Sequence, residues 1–153
     1  MAKFNAELPN DLIKQFNKLE QNAEKMMGEM TRAGAEIALS NAKASSPKSE
    51  IASHIKLSRT YKTPSDEGIN TKVYVSGYIP FSDPNRKSFA RKGGNGKMYY
   101  TTAGVPADFL VKLYEYGRSN RKFPKKPFFR KAFNKSQISS AMEKVQDKYL
   151  PKE

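Results

Sequence analysis

The apolar positions in the first third of the chain repeat with a helical period. Leu12, Phe16, Leu19, Ala23, Met26, Met30, Ala33 and Ile37 are spaced alternately by four and three residues, which lays a heptad-like seam along one face of a helix. The pattern predicts one long amphipathic helix over residues 10–44. Asn10 can cap it, and Asp11 lies in its first turn, where the helix dipole favours an anion. Ser45-Ser46-Pro47 ends it, because the residue before a proline avoids helical backbone. Such a helix is on the order of 50 Å long. A chain of 153 residues has trouble covering that length. Either part of the seam meets a neighbouring subunit, or the helix folds back on its own sheet, broken near Gly28 or Gly34.

Downstream the period changes. A short helical turn through Ile51, Ala52 and Ile55 leads into the alternating Ile55-Lys56-Leu57-Ser58. Pro64, Ser65, Asp66, Glu67 and Gly68 mark a turn between Lys62 and Asn70. Thr71-Lys72-Val73-Tyr74-Val75-Ser76-Gly77-Tyr78 alternates and is β-branched, the clearest strand in the chain. Residues 55–79 therefore read as an antiparallel β-hairpin. Residues 80–104 hold two prolines and four glycines and read as a long loop. Val105 to Tyr116 reads as a short helix or strand that Gly117 stops. A basic, proline-marked connection over 118–127 precedes a final helix from about Pro127 through Tyr149, with Phe128 and Phe129 at its start. The expected fold is α+β in a single domain over 1–153. A long N-terminal helix and a C-terminal helix pack on a small, mostly antiparallel β-sheet with a long basic loop over 80–104, and residues 105–153 supply a sheet edge and the last helix.

Composition sharpens this picture. Hydrophobic residues make up 37% and the mean hydropathy is −0.77, low enough to expect segments that partners help to order. There is no cysteine, so disulfides and thiolate metal sites are excluded. No apolar run approaches the ~20 residues of a membrane span, and Met1-Ala2-Lys3-Phe4-Asn5 has no apolar signal core. A soluble, non-secreted chain without a membrane partner is expected. The formal net charge is +13 and it is unevenly placed. Residues 1–47 carry six basic and six acidic groups and sum to zero, whereas residues 80–135 carry fourteen basic groups against Asp83, Asp108 and Glu115. Charge segregated in this way attracts phosphates or acidic protein faces.

Reactive chemistry finds little footing. His54, the single histidine, lies in a segment that alternates into a strand, and no nucleophile motif accompanies it. Asp66 and Glu67 are neighbours in a turn, a pattern typical of solvated side chains. Metal-ligand spacing is absent, and no cofactor is expected. Arg91-Lys92-Gly93-Gly94-Asn95-Gly96-Lys97 is glycine-rich and basic, but it is too short for a nucleotide-binding loop and no Ser or Thr follows the lysine. Phe89, Tyr99 and Tyr100 interleave with the cations. Lysines and arginines screen phosphate charge without reading sequence, and aromatic rings can stack on bases. Proximity to nucleic acid is favoured over site-specific recognition, since no known DNA-reading motif is present.

Two stretches carry a family likeness: Leu113-Tyr114-Glu115-Tyr116-Gly117-Arg118-Ser119, and Phe123-Pro124-Lys125-Lys126-Pro127-Phe128-Phe129-Arg130-Lys131-Ala132-Phe133. Together they resemble the signature of the phage tail-completion, or head–tail joining (neck), family, to which the minor tail protein Z of lambdoid phages is similar. The helix ending in Ala42-Lys43-Ala44-Ser45-Ser46-Pro47 agrees with the family layout, while Ser49-Glu50-Ile51 replaces its usual Gly-x-Leu. The resemblance implies a non-enzymatic virion protein at the head–tail junction, present in the host cytoplasm during assembly. It implies a homo-oligomeric ring around the DNA channel, of six or of twelve copies, that meets the connector or stopper and the tail-terminator or tail-tube proteins. Arg86, Lys87, Arg91, Lys92, Lys97, Arg121 and Lys122 would then face the channel, by non-specific electrostatics, or a partner. Tyr114, Glu115, Tyr116, Gly117, Pro127, Phe128, Phe129 and Phe133 form the packing or interface motif. In it Glu115 can pair with a cation of a neighbour, Gly117 allows a positive φ, Pro127 pre-sets the last helix, and the phenylalanines anchor that helix on the sheet. A tail-terminator protein, a free non-specific nucleic-acid-binding protein and a small basic enzyme relying on His54 are the alternatives.

Overall fold

The computed structural model describes residues 10–65, 68–118 and 125–149. Helix α1 spans Asn10–Ala44 without a break. It does fold back on its own chain, and its glycines serve contact rather than kinking. At Gly34 an added Cβ would lie 3.0 Å from Ile138 and 3.3 Å from Met142, so the missing side chain lets the last helix approach. Among the described residues of α1 the buried ones are Gly34, Ala38 and Ala42, whereas Met26, Met30, Ala33 and Ile37 of the seam are half-buried beside them. Close approach selects small residues for the centre of the contact, and these carry little hydropathy.

After the short α2 (Ser49–Ser53), the strands form four separate antiparallel pairs. Strand β1 (Ile55–Leu57) pairs with β4 (Val73–Val75), and β2 (Tyr61–Lys62) pairs with β3 (Ile69–Asn70) around the expected turn. The strand expected over 71–78 is split. At Gly77 the chain adopts φ +101°, and a Cβ there would meet the His54 ring at 2.7 Å. Strand β5 (Tyr78–Ile79) therefore leaves β4 and pairs with β8 (Val105–Pro106). Residues 80–104 are not a structureless loop: β6 (Phe89–Lys92) and β7 (Met98–Thr101) pair within them as a hairpin arm. The glycines that pointed to a loop form its turn, where Gly93 N donates to Lys97 O and Gly96 N donates to Gly93 O.

Helix α3 covers Ala107–Tyr116, and the Gly117 N–H donates to Leu113 O at its end. The last helix, α4, is shorter than the sequence pattern predicts, Lys135–Gln146, and a 3₁₀ turn over Arg130–Ala132 precedes it. Pro127 does not start it. Asn134 does, accepting from the N–H groups of Ser136 and Gln137, which satisfies donors left free in a first turn. Helix α4 runs antiparallel to α1: Asn41 donates to Gln137, Gly34 meets Ile138 and Met142, and the Tyr149 hydroxyl bonds to Glu29. The core lies beneath α1, where Ala42, Ile51, Ile55, Ile79, Ala107, Val111, Phe128 and Ala132 are buried together.

Candidate functional site

The packing motif gathers around one carboxylate. Glu115 lies on the buried side of α3, with 4% of its surface exposed. Its Oε1 accepts from the backbone N–H of Phe128 at 2.8 Å and of Phe129 at 2.6 Å. Its Oε2 accepts from Arg130 Nε at 2.8 Å. Burial pushes the carboxyl pKa up, but the Arg130 guanidinium and the two backbone donors outweigh it and hold the group below its ordinary value. The cation that Glu115 pairs with here is Arg130 of its own chain, where the sequence pattern suggested one from a neighbour. Lys126 N donates to Tyr114 O at 2.8 Å, a second tie between α3 and the segment that returns to it.

The aromatics divide into inner and outer ones. Phe128 is buried and meets Tyr114 and Phe129 edge to face, with ring centroids 6.5 and 6.3 Å apart. Phe129 and Pro127 are half-buried. Tyr116 is 66% exposed, its ring beneath the Arg130 guanidinium at 5.2 Å. Phe133 is 46% exposed and does not anchor the last helix in the core. It meets Phe129 edge to face at 5.8 Å and borders a shallow apolar hollow floored by Gly34 and Ala38. Gly117 does adopt the expected positive φ, 72°.

Of the predicted basic set, Arg86, Arg91 and Lys92 come together around a groove between β6 and α3. The Arg86 guanidinium lies over Phe81 and Phe89, at 5.4 and 5.6 Å from the ring centroids. Arg91 approaches Asp108 at 3.6 Å, and Lys112 approaches the same oxygen at 3.7 Å. Lys87 and Lys97 are exposed but do not line that groove, and Arg121 and Lys122 fall outside the described residues. Arg118, absent from the predicted set, does line the groove. Its position one residue past the helix-stopping Gly117 was the available signal. Strand β7 adds Met98, Tyr99 and Tyr100, all strongly exposed, with Tyr100 at 71%. An arm that shows cations and aromatic rings to solvent has the chemistry to meet a polyanion or an acidic protein face.

His54 is occupied structurally, with Nδ1 2.9 Å from Ser76 O at the bend between β4 and β5. Among the described residues no group of three or more His, Cys, Asp or Glu is arranged to hold a metal ion, and no helix is long and apolar enough to cross a membrane.

Residues 10–117 match the HK97-gp10-like family, described as "Bacteriophage HK97-gp10, putative tail-component". The match takes in α1, all eight strands and α3, and it stops at Gly117, before the Glu115-bound segment returns. No curated protein and no solved structure matches the chain.

Proposed function

From the premise that this chain belongs to the HK97-gp10-like family of bacteriophage tail components, we propose that it is a non-catalytic virion protein that completes or joins the tail at the head–tail junction. In this reading copies of the chain form a ring, and the β6–β7 arm points its cations toward the DNA channel or toward an acidic neighbouring ring. The observation that carries the reading is the separation of roles in the fold. Glu115 and Phe128 of the packing motif are turned inside the protomer. What faces outward is a basic, aromatic arm and an overlong helix. The net charge near the arm draws DNA phosphates without selecting a sequence.

The test is genetic and visual. A phage carrying a stop codon early in this gene is grown in a non-suppressing host and the lysate is imaged by electron microscopy. Filled heads and separate tails of normal length are the expected products, with joining restored when the protein is supplied. Joined, infectious particles lacking the protein would overturn the reading. Tails of uncontrolled length would assign the chain to tail termination instead.

A further inference from the structure

The β6–β7 arm is a two-stranded ribbon whose faces do different work. The register sets Phe89 opposite Thr101 and Arg91 opposite Tyr99 on one face. On the other it sets Ala90 opposite Tyr100 and Lys92 opposite Met98. The first face turns to the body: Phe89 meets Phe109 of α3 with ring centroids 5.0 Å apart, and Arg91 reaches Asp108. The second face is exposed at all four positions, with Tyr100 at 71%. Tyr99 braces the turn. Its hydroxyl accepts from Asn95 Nδ2 at 2.8 Å, and a Cβ on Gly93 would meet its ring at 2.5 Å.

The charge of this ribbon has one sign. Residues 84–107 carry Arg86, Lys87, Arg91, Lys92 and Lys97 and no acidic residue. Arg91 is met by Asp108, and Arg86 lies over two rings. Lys87, Lys92 and Lys97 are exposed and make no ion pair among the described residues. Lys92 ends β6 and Lys97 precedes β7, so the two stand at the tip on opposite strands. Between them nothing lies within 4 Å of a Cβ placed on Gly94, so the backbone there is open to close approach. Every charged group at the tip is a donor, which suits a partner that offers negative acceptors throughout.

Shape narrows that partner. Paired strands lie about 4.8 Å apart, and four residues run about 13 Å. The major groove of duplex DNA is about 12 Å wide and about 8.5 Å deep, and it admits a two-stranded ribbon. Flexible lysine stems on the two strands span the remaining width to the phosphates on either wall. A duplex carries about one charge per 1.7 Å of its axis, so the lysines find anions in any register, whereas carboxylates on a protein face must match them one by one. Single-stranded nucleic acid calls for rings that stack successive bases. Tyr99 is committed to the turn and Tyr100 lies on the opposite face, so these two rings form no such platform.

We propose that the β6–β7 arm enters the major groove of duplex DNA tip first, with Lys92 and Lys97 on the phosphates of its two walls and Lys87 on a phosphate near the base of the arm. The contact reads no base, so the duplex slides along it. This rests on the reading of the arm given above and commits it to DNA rather than to an acidic neighbouring ring.

The full-length chain is titrated against a fluorescent duplex of about 24 base pairs and mixed sequence, by anisotropy, between about 50 and 200 mM salt. Three phosphate contacts give a slope of about −2.7 for the logarithm of the binding constant against that of salt. Lys92→Gln/Lys97→Gln weakens binding at least ten-fold at about 50 mM salt and flattens the slope by about 1.8, and Lys92→Arg/Lys97→Arg restores both. Lys135→Gln/Lys144→Gln removes the same charge from exposed positions of α4 and leaves the affinity within about two-fold. Methyl green, which occupies the major groove, displaces the protein, and netropsin, which occupies the minor groove, does not. Circular dichroism confirms that each variant keeps its fold. Equal losses from the two glutamine pairs overturn the proposal, as do tighter binding to one strand of the same duplex and displacement by netropsin alone. A wild-type chain that ignores the duplex but binds poly-glutamate through Lys92 and Lys97 assigns the arm to an acidic protein face and overturns it too. All of these leave the tail-component reading standing, which the stop-codon phage decides on its own.

Discussion

Replacing Glu115 with alanine tests the inward turn of the family motif. The carboxylate is buried and accepts from two backbone donors and one guanidinium. Removing it leaves the Phe128 and Phe129 N–H groups without an acceptor, at about 1–3 kcal/mol for each buried donor. The Arg130 side chain is 54% exposed and regains water, so its share is below about 1 kcal/mol. The expected loss for Glu115→Ala is therefore about 2–6 kcal/mol, nearly all of it from the two backbone donors. Urea unfolding followed by circular dichroism reads it. With a slope near 2 kcal/mol per molar, the midpoint falls by about 2 M. Arg130→Ala should cost less than about 1 kcal/mol. A Glu115→Ala loss under ~1 kcal/mol, or an Arg130→Ala loss equal to it, would show that the backbone donors are not what the carboxylate holds.

The same group sets an acid limit. Its pKa in the folded chain lies below the ordinary 4.5, so the unfolded chain takes up the proton first as pH falls. The contribution of Glu115 is complete above the unfolded value and is lost as pH drops through the folded one. Wild-type urea midpoints should fall more steeply from about pH 6 to about pH 3 than those of Glu115→Gln. Parallel curves would refute the assignment.

Three further substitutions are expected to behave distinctly. Phe128→Ala removes a ring that is 5% exposed and should cost about 3–5 kcal/mol by urea unfolding; a loss under ~1 kcal/mol would mean that the ring is not a core residue. Gly104→Ala places a Cβ against the Ile79 carbonyl at a φ of +127° and should leave little folded protein by thermal melt, whereas Gly94→Ala, with nothing within 4 Å, should melt like wild type. Asn134→Ala deletes the cap of α4 and should lower stability by about 1 kcal/mol in the same assay.

The parts of the fold legible in the sequence were those written in local signals. Helix α1 runs through its predicted span because the apolar period and the proline stop agreed. The turn between β2 and β3 and the stop at Gly117 were equally local. The split between β4 and β5 was hidden, because alternation is blind to which partner a strand finds, and only the approach of His54 to Gly77 reveals the bend. The β6–β7 hairpin was masked by its own composition: cations and glycines read as loop, although Tyr99 and Tyr100 are good strand residues. The inner end of α4 was misplaced for a related reason. Pro127 and the two phenylalanines look like a helix start, and a single 3₁₀ turn does follow them, but the chain leaves helical backbone at Phe133 (ψ 65°) and Asn134 (ψ 108°) before α4 begins. At the candidate groove, Arg86, Arg91 and Lys92 were foreseen, while Arg118 joined them through the return of the chain after α3.

The use of Glu115 inside the protomer separates the inner residues of the packing motif from its outer ones. Glu115 and Phe128 are both buried, at 4% and 5% exposed, and the carboxylate accepts from three donors of its own chain. These two residues of the motif therefore serve the shape of the protomer. What the described surface shows instead is the exposed Met98, Tyr99 and Tyr100 and the cations around the β6–α3 groove. Such surfaces tolerate change without unfolding, because exposed substitutions usually move stability by less than about 0.5 kcal/mol. The residues that hold the fold and those that it shows to solvent are different residues, so one set can be substituted with the other left in place.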